Sequence, residues 1–312
     1  METSLLPPEP KFFLTDGGLE ANLNLDEGRK LPEFAAFTLL NSQTGVTALS
    51  SYFRQYLQRA IAQEAGFIFE TPTWRANADW GGRLKYTRSD LAEVNADAVA
   101  LMIELNQEFG ASKTPVLVSG CVGPSRNGYD PGQLTTAAVA EAYHRDQVSV
   151  LAAAGADLIT GINMTNTAEV IGLARAVQAV DLPVVVSFTV NTNGCLPTGQ
   201  GLGAAIAETD HAVDRPPAWY MISCAHPSQL WDVLDASRAW ANRIGGICVG
   251  TSCSRYAELN KTTNLNRGER FDLAQRYEKL CNQFPNIRVL GGYCGTNPHY
   301  IESITSRIVH LV

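Results

Sequence analysis

The chain has 312 residues, 45% hydrophobic and 18% charged, which is enough apolar surface for a full core and too much for a disordered chain. Its 24 basic and 31 acidic residues give a formal net charge of −7 without any basic tract, so no nucleic-acid partner and no membrane-surface partner is expected. No apolar run approaches the ~18 residues of a membrane span, residues 1–11 lack the apolar core of a signal peptide, and seven scattered cysteines read as reduced thiols; a cytoplasmic location is expected.

Short apolar, β-branched runs alternate along the chain with longer stretches of helical period. The first strand, 12–16, ends in Asp16-Gly17-Gly18. A long segment, 19–44, follows it, and then a helix over 46–65 closed by Gly66. The second strand, 67–71, ends in Glu70-Thr71; its helix, 90–109, opens at Ser89-Asp90 and closes at Gly110. The third, 116–120, leads into Cys121, and its helix, 136–154, opens at Thr135-Thr136 and closes at Gly155. The fourth, 158–163, ends in Ile162-Asn163-Met164, before a helix over 167–180. After the fifth, 184–189, comes a second long segment, 191–217, shaped by Asn191 and Asn193 and read, like 19–44, as a functional or lid-like loop. The sixth strand, 219–224, ends in Cys224-Ala225-His226 ahead of a helix over 227–242. Cys253 falls just past the seventh, 246–251, which precedes a helix over 269–284. The eighth, 288–293, ends in Tyr293-Cys294-Gly295, with Pro298 just inside the last helix.

Eight β-then-α units, with strands too uniformly apolar to be exposed on one face, close naturally into an α/β fold of the (β/α)8 TIM-barrel class, a single domain over 1–312. The rival, a doubly wound open sheet, lacks a G-x-G-x-x-G after the first strand. Barrel active sites lie at the C-terminal ends of the strands. None of the six lysines falls there, which argues against a Schiff-base aldolase. Of the five histidines only His226 does, while His144 and His211 read as solvated surface residues. The stretch Gly291-Gly292-Tyr293-Cys294-Gly295-Thr296-Asn297-Pro298 admits three readings: a helix-capping turn, a phosphate cradle, or a thiolate ligand on closely approaching backbone.

Four motifs taken in order, Asp16-Gly17-Gly18-Leu19-Glu20, Ser119-Gly120-Cys121-Val122-Gly123-Pro124, Ile222-Ser223-Cys224-Ala225-His226-Pro227 and Gly291-Gly292-Tyr293-Cys294-Gly295-Thr296, resemble the homocysteine S-methyltransferase family over essentially the whole chain. The resemblance implies a TIM barrel in which zinc is held by one cysteine after the sixth strand and a Cys-Cys pair after the eighth. It also implies methyl transfer to the zinc-bound thiol of homocysteine, giving methionine. The partners would be small molecules, a thiol and a methyl donor (S-methylmethionine, S-adenosylmethionine or betaine, depending on the member). Carried over by position, Cys224 and Cys294 are metal ligands. Asp16, Gly17, Gly18, Glu70, Thr71 and Asn163 line the substrate site.

The chemistry needs such ligands because a thiol of pKa about 8.5 is mostly protonated at neutral pH, whereas a zinc-bound thiol is deprotonated outright. Two positions depart from the family pattern. Tyr293 stands where the first cysteine of the pair is expected, so Cys253 or His226 is the possible third ligand. The stretch Gly161-Ile162-Asn163-Met164-Thr165 holds no carboxylate where many members carry a glutamate for the substrate's amino group. The alternative function is therefore a divergent, zinc-poor member acting on another small amino acid or thiol compound.

Overall fold

The structure, a computed structural model, describes residues 5–26, 28–110, 113–128, 134–223, 234, 237–250, 270–293 and 295–308. Eight parallel strands follow one another around a closed barrel: β1 (Phe13–Leu14), β2 (Gly66–Glu70), β3 (Val116–Val122), β4 (Leu158–Met164), β5 (Val184–Thr189), β6 (Trp219–Ser223), β7 (Ile244–Val249) and β8 (Val289–Gly292). Closure is by β1, whose Phe13 and Leu14 pair with Gly66 and Phe67 on one side and with Val289 and Leu290 on the other. Every expected strand is present in order, and the TIM-barrel reading holds.

Outside the strands lie α1 (Gln43–Ala62), α2 (Ala78–Arg83), α3 (Arg88–Glu108), α4 (Ala137–Ala153), α5 (Thr167–Gln178), α6 (Leu202–Ala212), α7 (Arg270–Gln283) and α8 (Pro298–Ile308). The expected cap at Thr136 accepts from Val139 N (3.3 Å). Four expectations need correction, three of them at the helices and their ends. Segment 191–217 is not loop throughout, for α6 occupies its middle; Gly201, the N-cap, and Gly203 hide its onset from a propensity reading. Helix α3 starts earlier than Ser89-Asp90 implies, because Thr87 and Asp90 form a capping box. Gly66 does not cap α1 but opens β2, and Glu64 takes the left-handed turn at φ 51°. Most of the expected helix 227–242 lies outside the described residues, which show a 3-10 turn at Ala239–Arg243.

His144 is the fourth correction. It is fully buried, because its position on α4 shares the face of Ala140, Gln147, Val148 and Leu151 that packs inward. Its Nε2 lies 3.3 Å from Glu169 Oε1, and that oxygen also accepts from Ser125 N (2.6 Å). Burial opposes ionisation of Glu169, yet the contacts with His144 and Ser125 hold its carboxyl below the usual range. Glu169 thus ties α5 both to α4, through His144, and to the turn after β3, through Ser125. His211 is exposed, as expected.

Strand alternation sorts the interior into two regions. Residues such as Leu14, Phe67, Phe69, Val186, Tyr220 and Leu290 pack outward against the helices in the main core. Their neighbours point into the bore, where Phe13, Ile68, Leu158, Val185, Trp219, Met221 and Val289 form a separate apolar plug at its lower, N-terminal half. Two residues further along each strand the bore changes character, and the candidate site begins there. Among the described residues no helix is long and apolar enough to cross a membrane.

Candidate functional site

Directly above the plug the inward positions carry small polar groups: Thr15 after β1, Glu70 on β2, Ser119 on β3, Thr160 on β4, Ser187 on β5, Ser223 on β6 and Cys248 on β7, with Gly291 on β8. Barrel bores are usually filled here by bulky branched side chains. Small residues leave a cavity of about 90 Å3 opening at the C-terminal mouth, lined by Asp16, Glu20, Glu70, Trp74, Asn163 and Tyr293 among others. By that measure there is room for several waters or a compact ligand. Glycine is required at 291, where a Cβ would lie 1.9 Å from Thr15 Oγ1; of the three readings of this stretch, the capping turn is present, with Asn297 Oδ1 accepting from His299 N (3.1 Å).

Three carboxyl groups converge on the cavity. Asp16 is buried at the end of β1; its Oδ2 accepts from Tyr52 OH of α1 (2.9 Å), and its backbone carbonyl accepts from Gly292 N (2.9 Å), which fixes it over the β1–β8 seam. Burial pushes its pKa up to about 7, against the Tyr52 bond, which lowers it. Glu20, on the helical turn Leu19–Ala21 and partly open to the mouth, is raised to about 7 by loss of water, with Arg75 opposing. Glu70, only 9% exposed, is pushed up to about 8 by burial; the Ser119 and Thr160 hydroxyls against its carboxyl oppose the shift and the charge of Asp16 adds to it. Its Oε2 has no hydrogen-bond partner. The nearby Cys121 thiol is driven well above its ordinary range by burial and by all three carboxyls, so it is an inert thiol.

Thr71 lines the same cavity, but its hydroxyl is spent on structure: it accepts from Cys121 N (2.9 Å) and pairs with Thr73 Oγ1 (2.7 Å), tying the turn after β2 to β3. Gly17 and Gly18 also line the cavity, and a Cβ on Gly17 would lie 2.4 Å from Tyr56 OH. Asn163 sits at an irregularity in β4, where Gly161 pairs with Val186 but Met164 with Phe188, so three residues span two. This bulge turns both Ile162 and Asn163 toward the cavity and puts Asn163 at φ 62°, a left-handed conformation that asparagine tolerates.

Tyr293 OH donates to Asn163 Oδ1 (2.5 Å), while Asn163 Nδ2 donates to Thr189 Oγ1 (3.4 Å), which donates to Gly128 O (2.8 Å). The two positions that depart from the family pattern thus touch, joining β8 to β4 across the mouth. Residues the sequence reading passed over include Glu20, Trp74 and Cys248. Trp74 and Arg75 follow β2, and the Arg75 guanidinium stacks between Trp74 and Trp80 at 4.5 and 3.8 Å. The alternation of β7 was the available signal for Cys248, whose thiol lies 3.6 Å from Thr15 Oγ1.

Residues 13–308 match the family model for homocysteine S-methyltransferase. The chain belongs to the homocysteine S-methyltransferase family. Membership makes it a methyl-transferring enzyme, in a family whose acceptor is homocysteine. Among solved structures it is similar to the Escherichia coli homocysteine methyltransferase MmuM. The oxidized form matches with a TM-score of 0.75 at 20% identity, the metallated form with 0.75 at 18%, and the apo form with 0.67 at 18%; each match covers 96% of this chain and 97% of MmuM. At these identities the likeness shows the fold. Among curated proteins none matches the sequence.

The family is zinc-dependent. Cys224, His226, Cys253 and Cys294 lie outside the described residues, and among the described residues no group of three His, Cys, Asp or Glu side chains is arranged for a metal. Tyr293 does not fit as a ligand: its hydroxyl is engaged as the hydrogen-bond donor to Asn163 Oδ1.

Proposed function

We propose that the chain moves a methyl group from a small sulfonium donor, S-methylmethionine or S-adenosylmethionine, to the thiol of homocysteine, giving methionine as a step of methionine biosynthesis in the cytoplasm. Atoms balance as R–SH plus CH3–SR′2+ giving R–S–CH3, SR′2 and one proton. The observation that carries this reading is the meeting of Asp16, Glu20 and Glu70 at one small cavity in the barrel mouth. Such a cavity favours a small cation, and the acceptor carries one on its ammonium group.

Zinc, when bound by Cys224 and Cys294 with Cys253 or His226, supplies an acceptor held as thiolate at neutral pH; soft sulfur and imidazole donors suit that ion. The chain's own part is placement. Asp16 is fixed by Tyr52 and Gly292 at one edge of the cavity, with Gly17 and Gly18 leaving the approach open, and Glu70 and Asn163 stand on the β2–β4 side. Holding thiolate and methyl carbon in line is the main source of rate in a direct displacement. The apolar plug below and the Trp74 wall keep bulk water from the reacting pair.

A second reading is favoured by one observation, the neutral Tyr293–Asn163 bridge occupying the two family positions: a zinc-poor member that works on another small amino acid or thiol compound. One experiment separates them. Protein purified without a metal-affinity tag is analysed for zinc and assayed for methionine formation from homocysteine with S-methylmethionine, S-adenosylmethionine and betaine in turn. About one zinc per chain and turnover with a sulfonium donor support the first reading. Zinc-free protein without turnover for any donor refutes it.

A further inference from the structure

The polar upper bore is the floor of the mouth cavity, and it is built for one kind of group. Glu70 is its only charged member among the described residues, and the Ser119 and Thr160 hydroxyls, 2.7 Å apart, lie against its carboxyl. Ser187 and Ser223, hydrogen-bonded to each other, continue the wall on β5 and β6, and both line the cavity. Glu70 Oε2 is buried without a partner, a condition that costs stability in an empty protein and is relieved by a bound donor. A carboxylate with several hydroxyl oxygens around it supplies acceptors for the three N–H bonds of a primary ammonium, whereas a sulfonium has no N–H or O–H to give.

We infer that Glu70, with Ser119, Thr160 and Ser187, forms a primary-ammonium subsite in the bore, and that this subsite selects amino-acid thiols over thiols lacking the amino group. The inference rests on the methyl-transfer reading for the identity of the amino acid, but not for the subsite itself. Reaction chemistry points the same way. A carboxylate set against the sulfonium would stabilise a charge that the transition state disperses, and would slow the step. Set against the ammonium, whose charge is unchanged throughout, it strengthens binding without that penalty. Glu70 is therefore a specificity residue, expected to act on KM rather than kcat. The raised proton affinity of Glu70 accords with this, since a bound cation draws the proton out.

The test needs no turnover. The full chain is titrated calorimetrically with methionine and with 4-(methylthio)butyrate, the same molecule without its amino group. The wild type is expected to bind methionine about 10- to 100-fold tighter, the range of a buried charge-assisted hydrogen bond. In Glu70→Gln that gap should shrink to about 3-fold, with the affinity for 4-(methylthio)butyrate unchanged. Thr160→Val, nearly the same shape, should narrow the gap part-way and covers the case in which Glu70→Gln does not fold. A wild type that binds both alike, or neither, overturns the subsite, as does a gap that survives both substitutions or a Glu70→Gln variant that weakens both ligands equally. If the expected pattern appears but no methyl transfer is found with homocysteine, the subsite stands and the methyl-transfer reading falls.

Discussion

The two halves of the barrel bore are built from the same strands two residues apart, and they do opposite work. In the lower half Phe13, Ile68, Leu158, Val185, Trp219 and Val289 fill the space with apolar volume. In the upper half Thr15, Glu70, Thr160, Ser187, Ser223 and Cys248 leave it open and polar. Stability is concentrated in the first and binding capacity in the second, which holds three carboxyls with raised pKa, an unpartnered Glu70 oxygen and Asn163 at positive φ. A barrel can carry such a site because the plug and the helix-facing core hold the strands in place regardless of what the upper bore contains.

The largest effect expected from breaking this division is in the plug. Phe13 is fully buried, and Phe13→Ala should lower unfolding free energy by about 3–5 kcal/mol, the range for emptying a packed aromatic site, as read from urea denaturation. A loss below about 1 kcal/mol would mean that the plug is not what supports the barrel.

Next comes the pH dependence of stability. Asp16 and Glu70 hold their protons to about pH 7 and about pH 8 in the fold but release them near their ordinary values, 3.8 and 4.5, when unfolded. The folded state therefore binds more protons across that window. Their contribution is fully intact below about pH 4 and is lost progressively as pH rises through 7 to 8. A tenfold difference in proton affinity between folded and unfolded chain is worth roughly 1.4 kcal/mol, so each group makes stability fall by up to that much per pH unit within the window. Glu70→Gln should flatten the fall in melting temperature between pH 5 and pH 8.5, and a variant that melts with the wild-type slope would show that Glu70 is not desolvated.

A smaller effect is expected at the mouth. Tyr293→Phe removes one hydrogen bond to Asn163 and should cost about 0.5–1.5 kcal/mol while leaving the zinc content per chain unchanged. A fall in zinc on that substitution would make the tyrosine a ligand after all. Smallest of all, Ser187→Ala removes only the hydroxyl partner of Ser223 and should stay within about 1 kcal/mol in stability, its consequence appearing in ligand affinity instead.

Much of this architecture could be read from the residues. The strands were legible because runs such as Val184–Thr189 are continuous, β-branched and bounded by turn residues, and that pattern survives in any context. The opposite fates of Phe13 and Thr15, or of Val185 and Ser187, follow from their position along the bore once the barrel is known, but the residues alone do not say which face of a doubly covered strand looks inward. Helix α6 was hidden by its flanking glycines, and His144 looked like a surface residue because its partner Glu169 lies on the next helix. Asp16, Glu70 and Asn163 could be nominated by their place at strand ends. That Asn163 and Tyr293 bond to each other depends on the bulge in β4, a backbone irregularity without a propensity signal.

The central claim is that the upper bore receives the amino group of the methyl acceptor. A crystal structure of the chain with methionine bound tests it most directly. The amino nitrogen is predicted within hydrogen-bonding distance, about 3 Å, of a Glu70 carboxylate oxygen, with the thioether pointing toward the mouth. Methionine bound with its amino group on the outer rim and the bore still empty would contradict it.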